Sequence, residues 1–378
     1  MVRAECEMLR AFGDTVEQWV EDNAALPTRG FLNLGRMALC SIWSLPSFRE
    51  TRRRVAAFNP DVVHVHNTVP MISPSVYTAC YRLRIPVVHT LHNYKLVCPG
   101  AFLFRDGAVC ETCSAKTAPY PAVLHGCYRR SRMQSAVAAL GLVFNRTIGT
   151  YRRHVTRYIA LTDFSRDVFI RAGLPADSID VKPNFVAEEI EPGSHNGKYA
   201  LFVGKIERLK GVPTLLNAWQ MLEKTVPLKV VGRGSLDSAL RSAALPGVSV
   251  LGPLPRERVI GLMQDASLLV FPSAWYEAFP MVIAEAFATG TPVVAARLGA
   301  MKEIVRDGRS GWHFSPGNPA DLAAVIRWAW ADPAEMRRRG RLARRQYEKE
   351  YCPAVNYPRL MEIYRRAIRQ TNGKEGET

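Results

Sequence analysis

Two carboxylates, Glu277 and Glu285, stand at either end of the run Glu-Ala-Phe-Pro-Met-Val-Ile-Ala-Glu, between an apolar stretch, Ala266 to Phe271, and an Ala-rich segment that closes at Gly290. The pattern predicts a strand that feeds a helix through a short polar turn. Such a turn aims the helix's first free backbone N–H groups, and its positive dipole end, at whatever binds above the sheet, which suits a phosphate. With Glu277 in the turn and Glu285 about two helical turns further on, one carboxylate can face the reacting part of a ligand and the other a hydroxylated part. The spacing suits a sugar nucleotide.

Three other stretches of the second half fit such a ligand. Gly204-Lys-Ile-Glu-Arg-Leu-Lys-Gly211 follows a predicted strand and brings two ammonium groups, Lys205 and Lys210, to a helix start. That is a diphosphate cradle, or else a basic turn facing solvent. Gly232-Arg-Gly234 follows another strand, a weak signal alone, and lacks the third glycine of the dinucleotide fingerprint, which disfavours an oxidoreductase. Leu251-Gly-Pro-Leu-Pro255 places Gly252 and Leu254 where backbone groups can meet a nucleobase.

Four of the eight cysteines, Cys98, Cys110, Cys113 and Cys127, form the pattern Cys-x11-Cys-x2-Cys-x13-Cys in a stretch rich in Gly, Pro and polar residues. A Cys-x2-Cys hook with two further thiols is compatible with a tetrahedral structural zinc that restrains a long loop. The outer spacings are wider than in common zinc motifs, so four unconnected thiols is the competing reading. Cys6, Cys40, Cys80 and Cys352 read as ordinary residues.

The elements that must hold these groups alternate strand-like apolar runs with amphipathic segments, the pattern of βαβ units and an α/β fold. Strands are expected at Thr15 to Val20, Val62 to His66, Pro86 to Leu91, Tyr158 to Leu161 and Ile179 to Val181. A second set is expected at Tyr199 to Val203, Leu228 to Val231, Val248 to Leu251, Ser267 to Phe271 and Pro292 to Ala295. Asn184 to Lys198 has no periodic apolar pattern and reads as a linker. The expected division is an N-terminal domain over 1–187, a nucleotide-sugar-binding domain over 188–352, and a C-terminal helix and tail over 353–378 that crosses back to the first. The 378 residues suffice for two domains.

Val2 to Phe12 reads as a helix, with Cys6, Met8, Leu9 and Phe12 as its apolar members. A Rossmann domain opens instead with a strand and a Gly-rich turn, so a truncated start or a helix-first variant is expected. The N-terminus lacks the apolar core of a secretion signal and no apolar run is long enough to span a membrane. A cytoplasmic protein with reduced cysteines is therefore expected. The net charge is +16, with basic runs at Arg49 with Arg52 to Arg54, Arg129 to Arg132, Arg152 to Arg157 and Arg337 to Arg345. These read as solvated helix faces, or as attraction to an anionic membrane surface or glycan. No aromatic platform, zinc finger or recognition-helix pattern accompanies them, so nucleic acid is not expected as a partner.

Taken in order, the Gly204 to Gly211 turn, the Gly232 to Gly234 turn, the Gly252 loop and the Glu277 to Glu285 block resemble the C-terminal half of a family 4 retaining glycosyltransferase. The likeness continues in His64-Val-His66-Asn67, Thr90-Leu-His92-Asn93-Tyr94 and Pro183-Asn184-Phe185. It implies a GT-B fold, two Rossmann-like domains facing one another across a cleft, and transfer of a hexose from a nucleoside diphosphate to an acceptor hydroxyl with retention. It implies that Glu285 bonds the ribose hydroxyls and Glu277 sits at the donor sugar. The backbone around Ala278, Phe279, Met281 and Val282 would cradle sugar or phosphate; Pro280 has no N–H to give. Lys210 matches the family's diphosphate lysine. Lys205 stands where arginine is more usual, and a lysine lacks the bidentate fork. His92 matches the histidine that reaches the donor from the first domain; the competing reading is a hydrogen-bonded core histidine.

The departing nucleoside diphosphate needs stabilisation of two developing charges, which Lys205, Lys210 and the helix terminus would supply. No Asp-x-Asp triplet occurs, so no catalytic metal or other cofactor is expected. The expected partners are a nucleotide-sugar donor, a glycan or lipid-linked acceptor, and an anionic membrane surface at the cytoplasmic face. A sugar phosphorylase on the same fold and a non-catalytic carbohydrate- or nucleotide-binding protein are the alternatives.

Overall fold

The computed structural model describes residues 1–21, 38–68 and 72–373. It divides into two compact units, one comprising Met1–Arg105, Cys110–Lys182 and Tyr357–Thr378, the other Asp106–Val109 and Pro183–Asn356. The strands are β1 Val63–Val65, β2 Val87–Thr90, β3 Phe104–Arg105, β4 Ala108–Val109, β5 Arg157–Ala160, β6 Ile179–Val181, β7 Ala200–Val203, β8 Leu228–Val231, β9 Val248–Gly252, β10 Leu268–Phe271, β11 Val293–Ala296 and β12 Gly311–Phe314.

The first unit carries a four-stranded sheet in the order β1-β2-β5-β6, every pair parallel. All four residues of β2 are buried, as expected of a parallel strand covered on both faces. The edge strand β1 lies in the same unit as the helix Val2–Ala11, which buries Met8 and Leu9 but also Glu5. Phe12 is half exposed, yet its ring stacks on Tyr357 at 4.1 Å. The expected strand from Thr15 to Val20 does not form. No strand among the described residues pairs with it; Val20 is exposed, and Glu17 and Glu21 are turned to Arg54 and Trp19.

The second unit carries a six-stranded sheet in the order β12-β11-β10-β7-β8-β9, again parallel throughout. The chain lays down β7, β8 and β9 in one direction, then returns to place β10 on the other side of β7. That reversal makes the carboxyl ends of β7 and β10 the switch point at which open α/β sheets bind ligands. The core is deepest beneath it, since β10 and β11 are buried along their whole length. The edge strand β12 and the hairpin of β3 and β4 escape the sequence pattern. The hairpin strands are too short for periodicity, and Gly311 opens β12 where a Cβ would lie 2.0 Å from Val293 O.

Residues 184–198 are not a free linker. Gly193 N–H donates to Thr289 O, His195 N–H to Gln264 O and Gly197 N–H to Asp265 O, which straps the segment onto the second unit. The basic run from Arg337 to Arg345 likewise holds structural arginines. Arg339 is buried, pairs with Glu335 at 2.7 Å and lies 4.1 Å over the ring of Trp312, while Arg344 donates to Ala288 O and Ile190 O. No helix among the described residues is long and apolar enough to cross a membrane.

The helix Pro333–Glu350 approaches the turn after the helix Met281–Ala288 so closely that a Cβ on Gly340 would sit 2.2 Å from Gly290 O. Gly340→Ala is therefore expected to destabilise by about 1–3 kcal/mol, even though alanine favours a helix by about 1 kcal/mol. Gly261, inside the helix Arg256–Asp265, has open space around its Cβ position, so Gly261→Ala is expected to stabilise. Urea unfolding of the two variants checks both signs; a neutral or stabilising Gly340→Ala would refute the close approach.

Candidate active site

Three glycine-bearing loops at the carboxyl ends of β7, β8 and β9 are knitted by backbone hydrogen bonds. Gly204 N–H donates to Val231 O, Ile206 N–H to Arg233 O, and Gly232 N–H to Gly252 O. Gly232 has a φ of 137° and its Cβ would fall 1.9 Å from Gly204 O, so a side chain there would force the loops apart. Gly252 is thus tied to the Gly232 turn, and Leu254, half-buried, continues the same loop towards Arg256.

The loop after β10 closes on the loop after β7. Ala274 N–H donates to Leu209 O at 2.9 Å, and Ser273 Oγ lies 3.3 Å from the same oxygen. Gly211, with φ at 72°, lies so near Pro272 that a Cβ would stand 1.8 Å from its carbonyl oxygen. This contact delivers Lys210 to Glu277. The Lys210 ammonium donates to Glu277 Oε1 at 2.6 Å, and Ser273 Oγ and Trp275 Nε1 each donate to the same oxygen at 2.8 Å. Glu277 is buried while Lys210 keeps about a quarter of its side chain exposed, with its ammonium 5.6 Å from the rings of both Phe271 and Trp275. Lys205 is exposed, and no side-chain hydrogen bond joins it to Glu277 among the described residues.

The helix Met281–Ala288 starts directly beyond Glu277, with Pro280 as its N-cap and no side chain capping it. Ala278, Phe279 and Pro280 are buried, Met281 and Val282 half-buried, and the Phe279 ring packs edge-on against Tyr351 at 5.5 Å. The side chains here anchor the turn, so its recognition chemistry is that of the backbone. Glu285 faces a partner that sequence reasoning missed: Arg256 donates to its Oε1 and forks onto Glu188 at 3.0 and 2.8 Å. Burial raises the Glu285 carboxyl above its ordinary range, and Arg256 opposes the shift. The available signal was a lone arginine straight after Pro255, opening a helix beside the Gly252 loop. Ser273 and Trp275 gave no signal beyond their place in the turn.

In the first unit His92 belongs to a buried histidine cluster. His92 Nε2 lies 2.8 Å from His66 Nδ1, and His66 Nε2 lies 3.4 Å from Glu5 Oε2. Of His92 Nε2 and His66 Nδ1 one donates and the other accepts, according to the tautomer each ring adopts. His64 bonds Tyr364 and Thr90, and Glu5 Oε1 faces the buried Lys182 at 3.4 Å. Glu5, His64 and His66 place three metal-type donor atoms within 4.8 Å of one another. Both ring nitrogens of His64 and Nδ1 of His66 have hydrogen-bond partners, and Lys182 supplies the positive charge, so the set reads as a buried polar cluster.

The four cysteines singled out in the sequence line a single cavity of about 30 Å³ in the first unit. Burial pushes the Cys113 thiol up, and the other three thiols add to that shift.

The matched architecture is the GT-B fold, built from two Rossmann-like α/β domains. In solved structures it is shared with the Anabaena protein HepE in complex with UDP and glucose, at 18% identity and a TM-score of 0.63 over 94% of this chain and 88% of that one. Residues 21–189 match the family described as Glycosyltransferase Family 4, and residues 197–332 match Glycosyl transferases group 1. Among curated relatives, a glycogen synthase of Mycobacterium tuberculosis is 34% identical over 40% of this chain and 38% of its own length. A D-inositol 3-phosphate glycosyltransferase of Catenulispora acidiphila is 29% identical over 83% of this chain and 74% of its own. The chain thus spans well under half the length of that glycogen synthase.

Burial depresses His89 to about 3 and His92 to about 4, below the ordinary value for histidine. The unfolded chain therefore takes up protons that the folded chain refuses. The stability these groups supply is complete above about pH 6.5 and is lost as pH falls towards the folded values, amounting to about 2 kcal/mol at pH 5 for His89 alone. The melting temperature is expected to drop steadily from pH 6.5 to 5, and the drop should be shallower in His89→Gln. An unchanged slope in that variant would contradict the assignment.

Proposed function

We propose that the protein transfers a hexose from a nucleoside-diphosphate sugar to an acceptor hydroxyl with retention of anomeric configuration. The observation that carries this reading is the Lys210–Glu277 pair at the switch point of the second sheet, beside an uncapped helix N-terminus. A diphosphate is the ligand chemistry that such a terminus and an ammonium recognise together. In the donor complex Lys210 turns from Glu277 to the diphosphate, the backbone from Ala278 to Val282 meets phosphate and sugar, and Glu277 accepts from the sugar hydroxyls. Glu285 accepts from the ribose, with Arg256 yielding or sharing the carboxylate. The base is met by the loop holding Gly252 and Leu254, and Gly204 and Gly232 let backbone approach the phosphates.

In the transfer the bond from anomeric carbon to diphosphate oxygen breaks and a bond to the acceptor oxygen forms on the same face. The acceptor proton passes to the leaving phosphate. Lys210, and at longer range Lys205, offset the charge that develops there. His92 is the residue the resemblance offers for the donor sugar, and serving it would take its Nε2 away from His66 Nδ1. UDP is the first nucleotide to test, since the Anabaena structure holds it.

For the acceptor, the helix Arg132–Thr147 leaves Met133, Leu140 and Phe144 exposed close in sequence to Arg129, Arg130 and Arg132. That combination supports a lipid-linked or polysaccharide acceptor met at an anionic surface. Co-flotation with anionic vesicles, weakened by salt, is the expected result; equal recovery with neutral vesicles would remove this part of the reading.

A panel of nucleoside-diphosphate sugars, with release of nucleoside diphosphate as readout, tests the donor reading. Lys210→Ala is expected to lower kcat/KM by about 10²–10³-fold and Lys205→Ala by less than about tenfold, since Lys205 is exposed. The product should keep the donor's anomeric configuration by NMR. Activity of Lys210→Ala close to the parent's, or an inverted product, would sink the mechanism.

A further inference from the structure

We infer that Cys98, Cys110, Cys113 and Cys127 form a structural zinc site that staples the loop between β2 and the helix Arg132–Thr147. These residues lie far apart in sequence but line one cavity together, and its volume of about 30 Å³ is the size of a single small guest. The backbone has already brought the two ends of the pattern together. A Cβ on Gly100 would sit 3.1 Å from Cys127 O, Ala101 N–H donates to Cys98 O at 2.8 Å, and Cys110 N–H donates to Leu103 O at 2.8 Å. Turns closed by Ser114 N–H to Glu111 O and Lys116 N–H to Cys113 O shape the Cys-x2-Cys hook.

Among the described residues no three of the four sulfurs lie within 4.8 Å of one another, so binding requires them to draw inward. A zinc–sulfur bond of about 2.3 Å sets sulfurs a little under 4 Å apart, and one staggered χ1 step carries a cysteine sulfur about 3 Å without moving the backbone. Contacts given up include Cys110 Sγ to Thr112 Oγ1 at 3.3 Å, Cys113 Sγ to Pro119 O at 3.9 Å and the Ala122 backbone N–H on Cys113. Binding of one Zn²⁺ releases the four thiol protons to solvent and leaves a zinc tetrathiolate of charge −2. Arg105, which lines the same cavity, offsets part of that charge.

Regular structure in this stretch is limited to β3, β4 and the five-residue helix Tyr120–Leu124. Local turns rather than sheet or long helix hold it, a setting in which a metal clip adds to folding.

The inference stands apart from the transfer reaction, and its test does not use activity. The full chain, purified from zinc-supplemented cells, should contain one zinc by elemental analysis, kept through dialysis against EDTA and released by a mercurial that titrates thiols. Cobalt exchange should give the visible absorption of a tetrahedral tetrathiolate. Cys110→Ser/Cys113→Ser should lose the metal and Cys352→Ser should keep it. Less than about half an equivalent of zinc in the parent protein would overturn the inference. So would an intact mass showing disulfides, or a cobalt spectrum of nitrogen and oxygen ligands, either of which is read on the parent protein even if the double variant does not fold.

Discussion

The second unit depends on a backbone-to-backbone contact, the one between the turn that ends at Gly211 and the turn that begins at Pro272. No side chain fits between them, since a Cβ on Gly211 would stand 1.8 Å from Pro272 O. Because the two loops touch directly, the residue before the glycine and the carboxylate five residues beyond the proline fall within hydrogen-bond reach. Sheet order brings β7 and β10 side by side, and glycine closes the remaining gap. The ion pair is the result of that closeness, and only then can it serve as chemistry.

The two candidate carboxylates are held by different means. Glu277 is surrounded by neutral donors from its own turn and one lysine from the neighbouring turn. Glu285 sits on a helix and is reached by Arg256, which divides its guanidinium between Glu285 and Glu188. The first arrangement orders a loop. The second links the helix Met281–Ala288 to the helix Arg256–Asp265 and to the strap that begins at Pro183, so a ligand taking Glu285 would be felt along three segments.

Much of the framework could be read in the sequence because parallel strands buried on both faces appear as unbroken apolar runs: β7, β8 and β10 fall where Tyr199 to Val203, Leu228 to Val231 and Ser267 to Phe271 predict them. The pairing of Lys210 with Glu277 follows from turn chemistry once the strands are adjacent. Thr15 to Val20 failed because alternation alone does not supply a neighbouring strand. The segment from Asn184 to Lys198 misled because backbone amides, which sequence composition does not display, fasten it to Thr289, Gln264 and Asp265. Glu5 was invisible for a related reason. Its partners, His66 and Lys182, are 61 and 177 positions away and reach it only through the fold.

All three donors to Glu277 converge on Oε1. A carboxylate bound evenly through both oxygens would be a diffuse negative charge, but one loaded on a single oxygen becomes a pointer. Oε1 fixes the plane of the group and leaves Oε2 as the directed acceptor, so the side chain can distinguish hydroxyls by their angle of approach as well as by distance. On the proposed donor reading, discrimination between sugars differing at one carbon would rest on the orientation of a single oxygen lone pair, set by Ser273 and Trp275.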